Sequence, residues 1–481
     1  MNILKQLSFG FVIALIAGAA ASCAEKNAAV TTMIRTEVPP RAEGVSHMVG
    51  YAAEPIDTVR VGFVGLGMRG SSAVTRFTHI PGSTIAALCD IEPECVEKSL
   101  KDLENIGAPR PLYTYSGKAD SWKELCENPD IDLVYIATDW LTHAPIAKYA
   151  MEQGKHVAIE VPAALNLDEI WTLIDTSERT RRHCMMLENC VYDFFEMNTL
   201  NMAQQNLFGD IVHVEGSYIH NLADFWDAYW HDWRMAYNKE HRGDVYPTHG
   251  MGPACQLLDI HRGDKMNVLV AMDTEALGAP LWLKEHRGEA PETFANGDHT
   301  MTMIRTEKGK TIHIQHDVVN PRPYSRMYQL TGTKGFANKY PTEGYAFEPE
   351  QLSSDQMPDH ENLTAHGFIS DQQREALTER YLHPVIREVG EVAKQVGGHG
   401  GMDYIMDYRL IYCLRNGLPL DMDVYDMAEW CAVAPLSAIS IENGSAPVEV
   451  PDFTRGAWNL TQGYRHAFAS SADSNESILS R

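Results

Sequence analysis

Residues 59–70 read VRVGFVGLGMRG, and Asp90 stands twenty residues beyond the last of these glycines, closing the apolar run TIAALCD (84–90). Val59–Val64 alternates as a strand does, and Gly65, Gly67 and Gly70 keep GxGxxG spacing. Glycines in this pattern serve, in order, a tight turn, a close backbone approach to a pyrophosphate, and close packing of the next helix on its strand. Free amides at the start of that helix face the phosphates. An acidic side chain at the end of the second strand holds the ribose hydroxyls and repels a 2′-phosphate. These residues predict a dinucleotide-binding βαβ unit whose cofactor is NAD rather than NADP.

The alternation continues beyond Asp90. PECVEKSLKDLEN (93–105) reads as a helix with a charged outer face, and SWKELCENP as a short helix ended by Pro129. IDLVYIAT (131–138) is an unbroken apolar run, as a central parallel strand buried on both faces requires. HAPIAKYAMEQG is a helix stopped at Gly154, KHVAIE (155–160) a strand, 168–182 a helix and CMMLEN (184–189) a further strand. The repeat predicts a doubly wound parallel sheet with its ligand crevice at the carboxyl ends of the strands. Those ends carry Asp90, Trp140–His143, Glu160 and Asn189.

Past residue 210 the period changes to two. DIVHVEGSYIHN, NVLVAMDT, HTMTMIRTEKGKTIHIQHDV and RMYQLTGTKG predict an open, mostly antiparallel sheet, with helices returning near 370–396, 401–416 and 423–436. The fold class is therefore α/β, a Rossmann domain (58–190) followed by an α+β domain (191–465). Residues 24–57 have no period and read as tether and lead-in, and 466–481 as a polar, frayed tail.

The net charge of −25 argues against nucleic acid and anionic membrane surfaces as partners. Residues 1–23 form a targeting segment: Lys5, the apolar stretch FGFVIALIAGAA, then Ala-Ala-Ser-Cys. Small residues before Cys23 predict a lipoprotein signal with Cys23 lipidated, although Ala20 stands where such signals usually carry Leu. The stretch is too short to span a bilayer. The mature protein is expected outside the cytoplasm, as a periplasmic or cell-surface lipoprotein. None of the other eight cysteines has metal-site spacing, and Cys89, Cys126, Cys184, Cys255, Cys413 and Cys431 read as buried apolar residues. Asp259 and Asp264 beside His261 are too loosely spaced to predict a metal site.

The GxGxxG turn, Asp90, Thr138–His143 and GKHVAIEVP (154–162), followed by a sheet domain, resemble the glucose–fructose oxidoreductase and inositol dehydrogenase superfamily. Within it, WLTH (140–143), EVPAA (160–164), LENCVY (187–192), GSYIHN (216–221), GDVYPTHGMGP (243–253) and PRPYSR (321–326) resemble glycoside hydrolase family 109. The likeness runs from about residue 57 to 450. Oxidoreductases of the superfamily carry Glu-Lys-Pro where this chain has Glu160-Val161-Pro162, so their general acid/base lysine is missing. They also carry a His after an Asp-x-Gly-x pair, where this chain reads Thr248-His249-Gly250.

The resemblance implies an NAD-dependent α-N-acetylgalactosaminidase that oxidises C3 of the sugar, eliminates the C1 substituent, adds water and reduces the ketone again. The cofactor would be tightly held and recycled. It further implies that Gly65, Gly67, Met68, Arg69, Gly70, Asp90, Trp140, Leu141, Thr142, His143, Glu160, Val161 and Asn189 line NAD. Tyr218, Arg234, Tyr246, Pro247, Thr248, His249 and Tyr324 would line the sugar, with Tyr218, His220, Tyr246 and His249 moving protons. The aromatic stretch FWDAYWHDWRMAY around Arg234 suits a sugar ring or a core equally. A plain NAD-dependent sugar oxidoreductase and a non-catalytic sugar-binding lipoprotein are the alternatives, and a homo-oligomer is compatible with each.

Overall fold

The computed structural model describes residues 32–289, 291 and 293–469. Cys23 and the targeting segment lie outside the described residues. The first domain runs β1 (Val59–Val64), α1 (Met68–Phe77), β2 (Ser83–Asp90), α2 (Pro93–Asn105), β3 (Tyr113–Ser116), α3 (Ser121–Glu127), β4 (Leu133–Ile136), α4 (Trp140–Glu152), β5 (His156–Ile159), α5 (Leu167–Thr180) and β6 (Cys184–Met186). Its six strands are all parallel in the order β3-β2-β1-β4-β5-β6. Every residue of β4 and β5 is buried, which explains their unbroken apolar sequence. The strand order reverses between β1 and β4, and a crevice opens there at the carboxyl ends.

The second domain contains α6 (Phe194–Gln204), β7 (Ile211–Ile219), α7 (Trp233–Glu240), α8 (Thr248–Leu257), β8 (Met266–Asp273), α9 (Gly278–Arg287), β9 (Thr300–Thr306), β10 (Thr311–Asp317), β11 (Tyr328–Gly332), β12 (Gly335–Asn338) and β13 (Gly344–Phe347). It ends with α10 (Asp371–Arg380), α11 (Pro384–Val396), α12 (Met402–Asn416), α13 (Val424–Glu442) and β14 (Val448–Glu449). The eight-stranded sheet has the order β13-β12-β11-β7-β10-β9-β8-β14 and is antiparallel except where β7 pairs with β10. Helix α13 packs on β8 and also on α5 and β6 of the first domain. One hydrophobic core therefore runs through both domains.

Four sequence expectations are corrected. The described part of 24–57 is no loose tether. Ile34 bridges Val448, Arg41 binds the Glu178 carboxylate at 2.9 Å and Met48 is buried in the core. Such a strap has no period because each side chain goes to a different element. The start of the 466–481 tail is likewise docked: His466 is buried and Ala467 accepts a hydrogen bond from Arg409. The helix expected over 370–396 breaks into α10 and α11, because Pro384 begins a new helix with His383 as its cap. The helix expected to end at 436 continues through Pro435 to Glu442.

Candidate active site

The glycine turn behaves as its spacing requires. Gly65 has φ of +88°, and a Cβ there would lie 2.6 Å from the Ala137 carbonyl. A Cβ on Gly70 would lie 1.8 Å from the Gly65 oxygen. No protein atom lies within 4 Å of the place a Gly67 Cβ would occupy. Space is thus kept open beside the first amides of α1, where a pyrophosphate fits. Asp90 accepts the Leu66 amide on Oδ2 at 2.6 Å and the Glu92 amide on Oδ1 at 2.9 Å, which fixes its carboxylate at the end of β2.

Two large apolar side chains, Met68 and Leu141, are 56% and 63% exposed at the tops of α1 and α4. They flank the crevice and offer apolar surface to a flat group. Arg69 donates to Glu160 Oε1 at 2.9 Å and to Asp403 Oδ2 at 3.0 Å, and Asn189 donates to Asp403 Oδ1 at 2.6 Å. Thr142 bonds Thr138 and Asp139 at the start of α4. Val161 is buried at the position of the missing lysine. His143 is spent on the fold: its ring nitrogens lie 2.8 Å from the Pro162 carbonyl and 3.1 Å from that of Thr138. These residues, His143 aside, fit a dinucleotide.

The residues expected to line a sugar come together where β7 meets α8. A Cβ on Gly216 would lie 2.6 Å from Gly250 Cα, and one on Gly250 would lie 2.9 Å from the Ser217 amide. Only two glycines facing each other let this helix approach the strand so closely. That approach brings Tyr218 of β7 to 5.3 Å from the His249 ring and 4.8 Å from the Tyr246 ring. Gly250→Ala should therefore destabilise the protein by about 1–3 kcal/mol by overpacking, although Ala is normally the better helix former. Thermal unfolding checks the sign, and a raised midpoint would contradict this account.

Trp140 stacks on Tyr246 with ring centroids 5.3 Å apart and joins the residues expected to line the cofactor to those expected to line the sugar. Pro247 and Thr248 are buried at the start of α8, and Tyr324 packs edge-on against His220 at 5.0 Å. The Tyr218 hydroxyl lies 3.1 Å from His220 Nδ1. The guanidinium of Arg234 lies 4.7 Å from the Tyr246 ring centroid and 5.0 Å from that of Trp140, and it donates to the Tyr229 hydroxyl at 2.9 Å. In the aromatic stretch Trp226 is core, whereas Trp230 is half exposed and reaches Glu92 of the first domain at 3.3 Å.

Three further groups escaped the sequence reading. Glu188 is fully buried, with Oε1 2.6 Å from His249 Nδ1 and accepting the Cys190 amide at 3.0 Å. Burial holds the His249 imidazole down at about 4, although Glu188 pulls it upward. Burial also favours a neutral Glu188, but His249 and the hydrogen bonds outweigh that and keep the carboxyl below its usual range. The pair is thus a carboxylate and a neutral imidazole, with Nδ1–H donated to Glu188 and Nε2 left free to take a proton. Burial also lowers His220 and raises Tyr218 and Tyr246, so both phenols stay protonated near neutrality.

The second group is His399 with Asp403, 2.9 Å apart and joined to Arg69 and Asn189. His399 sits in GGHGG (397–401), five consecutive residues with positive φ. That glycine run was the available signal for it. The third is Arg326, at the end of PRPYSR, buried among Cys190, Met402 and Tyr324.

Comparison with known proteins bears on the family and the fold. Residues 59–188 match the oxidoreductase family, NAD-binding Rossmann fold, and residues 192–460 match the glycosyl hydrolase 109 C-terminal domain. The chain is 62% identical over 470 residues to glycosyl hydrolase family 109 protein 1 of Phocaeicola vulgatus, covering 97% of this chain and 100% of that relative. It is also 62% identical over 463 residues to a glycosyl hydrolase family 109 protein of Porphyromonas gingivalis, covering 96% and 98%. Among solved structures, levoglucosan dehydrogenase with NADH and levoglucosan shares the fold, with a TM-score of 0.62 at 18% identity over 82% of this chain and 100% of that one. An NAD-binding domain joined to this C-terminal domain supports an NAD-dependent enzyme of the glycosidase or sugar oxidoreductase type. The chain belongs to glycosyl hydrolase family 109.

Proposed function

We propose that the protein hydrolyses α-linked N-acetylgalactosamine, or a closely related amino sugar, by oxidation, elimination, addition of water and reduction on one tightly held NAD. The observation that carries this reading is the Glu188–His249 pair beside Tyr218 and Tyr246, in a crevice where Val161 replaces the lysine of alcohol oxidation. Gly67, Met68, Asp90, Leu141 and Val161 would hold NAD, which would supply a reversible acceptor for the C3 hydride. Oxidation at C3 acidifies the C2 proton, which neutral His249 accepts on Nε2. The Tyr218 hydroxyl, hydrogen-bonded to His220, passes the O3 proton toward the open end of the site. Arg234 and the Trp140–Tyr246 stack orient the ring. Because the hydride returns to the same molecule, no external cofactor supply is needed, which suits an exported, Cys23-anchored protein.

Cross-strand neighbours Met272 and Met301, with Met303, are exposed on the eight-stranded sheet, which supports association with a second copy through that face. The second reading is a sugar dehydrogenase, favoured by the dehydrogenase neighbours in fold.

The deciding experiment gives the purified protein p-nitrophenyl α-N-acetylgalactosaminide in deuterated water with no added cofactor. Nitrophenol release with deuterium at C2 is expected. No release, with NADH accumulating only when free sugar and NAD⁺ are supplied, would replace hydrolysis by dehydrogenation.

The pH profile is a second check. His249 protonates near 4, so kcat/KM should stay level down to about pH 5 and fall below it as the base is lost. An unperturbed imidazole would lose activity from about pH 6.5. An acid limb centred at 6 or above would remove His249 from the role of base.

A further inference from the structure

Arg326 is a buried cation with no directly paired carboxylate among the described residues. Ser325 exchanges both backbone hydrogen bonds with Ile219 at 2.9 Å, which places the next residue against the sugar side of the site. The Arg326 side chain is buried, with the residue 9% exposed. Its Nη1 points at Cys190 Sγ (3.3 Å) and Met402 Sδ (3.7 Å), and its buried Nε has no hydrogen-bond partner. Among the described residues it makes no ion pair within 4.0 Å. Burial keeps the Cys190 thiol well above its usual pKa, so this contact is with a neutral sulfur and not a counter-ion. Glu188 offsets part of this charge without direct contact: its Oε1 holds His249 and the Cys190 amide, and its buried Oε2 has no hydrogen-bond partner.

Arg234 repeats the situation near Tyr218. Its guanidinium lies 5.9 Å from that ring, is buried, and has a tyrosine hydroxyl as its hydrogen-bond partner in place of a carboxylate. Desolvating a guanidinium without a paired carboxylate costs stability. Buried polar groups left unsatisfied call for a cause other than folding. Both cations act on Tyr218, and Arg326, 5.7 Å from the Tyr324 ring, also exerts its charge on His220 and His249. A neutral sugar in its ground state would leave both without a paired anion.

We propose that Arg326, together with Arg234, holds the oxyanion that appears on O3 of the sugar when its C2 proton is removed. This rests on the hydrolytic reading above. In that step the C2–H electron pair forms the C2=C3 bond, the C3=O π pair moves to O3, and the proton goes to His249. The enolate then collapses to an enone, the C1–O bond breaks, and the aglycone leaves with a proton from the site. Negative charge thus develops on O3 at a step where the chain's own cations are the groups that can meet it. Cations already fixed in a dry site stabilise such an oxyanion without reorganising.

The test compares full-length wild-type protein, as purified with its cofactor, with R326M. Met fills the volume of the stem and removes the charge. The thermal midpoint should rise by about 2–4 °C, and kcat should fall by about 10²–10³-fold. On adding substrate, absorbance at 340 nm should build up in the variant, because oxidation proceeds while elimination stalls. R326Q, nearer in polarity, repeats the turnover and absorbance measurements if the Met variant folds poorly. A lowered midpoint with wild-type turnover in either variant would mark Arg326 as structural and overturn the proposal. If wild-type protein incorporates deuterium at C2 while R326M and R326Q match it in rate and absorbance, this inference fails alone. If wild-type protein incorporates none, the hydrolytic reading fails with it.

Discussion

Glu188→Gln should leave the protein folded with NAD bound and cut hydrolysis by about 10²–10⁴-fold. The argument rests on what each side chain can donate. The Glu188 carboxylate only accepts, so its 2.6 Å contact requires the hydrogen of His249 to sit on Nδ1. Nε2 then faces the site as a lone pair. A carboxamide has one accepting and one donating end, and Oε1 of Glu188 takes both the His249 hydrogen and the Cys190 amide. If the amide oxygen turns to Cys190, the NH₂ meets His249 and moves its hydrogen to Nε2, the wrong atom for a base. If the oxygen keeps both contacts, the imidazole still loses the adjacent negative charge that supports the imidazolium it must become. Turnover and bound nicotinamide are measured on the same sample. A loss below about threefold would separate Glu188 from the chemistry, since removing a general base typically costs 10²-fold or more.

How much of this was legible beforehand follows from how local each constraint is. The turn at Gly65–Gly70 was readable because its demands, a φ of +88° at Gly65 and no room for a Cβ at Gly70, lie within six residues. The parallel sheet was readable because strands buried on both faces lose all polar alternation. Tyr218 and His249 were found through family likeness, yet what joins them, the glycine pair Gly216 and Gly250, was present in the quoted motifs. Glu188 was quoted too, within LENCVY, but its partner is 61 residues away and nothing along the chain marks the pairing. Arg69 and Asp403 are 334 residues apart, so their bond exists only after the second domain folds back on the first. Arg326 was invisible for another reason. A sequence shows where a cation is, whereas the lack of a directly paired carboxylate is a property of the packed site.

Gly67→Asp should abolish cofactor binding while leaving the fold as stable as before, or more so. Gly67 differs from its neighbours in the motif. Its φ of −67° is open to any residue, and a Cβ there meets no protein atom within 4 Å. It is also the N-cap of α1, where the glycine has no side chain to accept a hydrogen bond. Asp is among the strongest N-caps and its charge suits a helix N-terminus, so the substitution should add up to about 1 kcal/mol of stability. Protein packing therefore gives no reason for a glycine at this position. A pyrophosphate does, because it needs both the space and the amides that the Asp carboxylate would take. Like charge and lost room should together weaken NAD binding by at least about 10²-fold, equivalent to 2.7 kcal/mol. The variant should come off the column without nicotinamide absorbance, unfold at or above the wild-type temperature, and release no nitrophenol. Retained hydrolysis in a cofactor-free variant would mean that the glycosidase chemistry does not depend on the Rossmann domain. A sharply lowered unfolding temperature would mean that Gly67 serves the turn itself rather than the ligand.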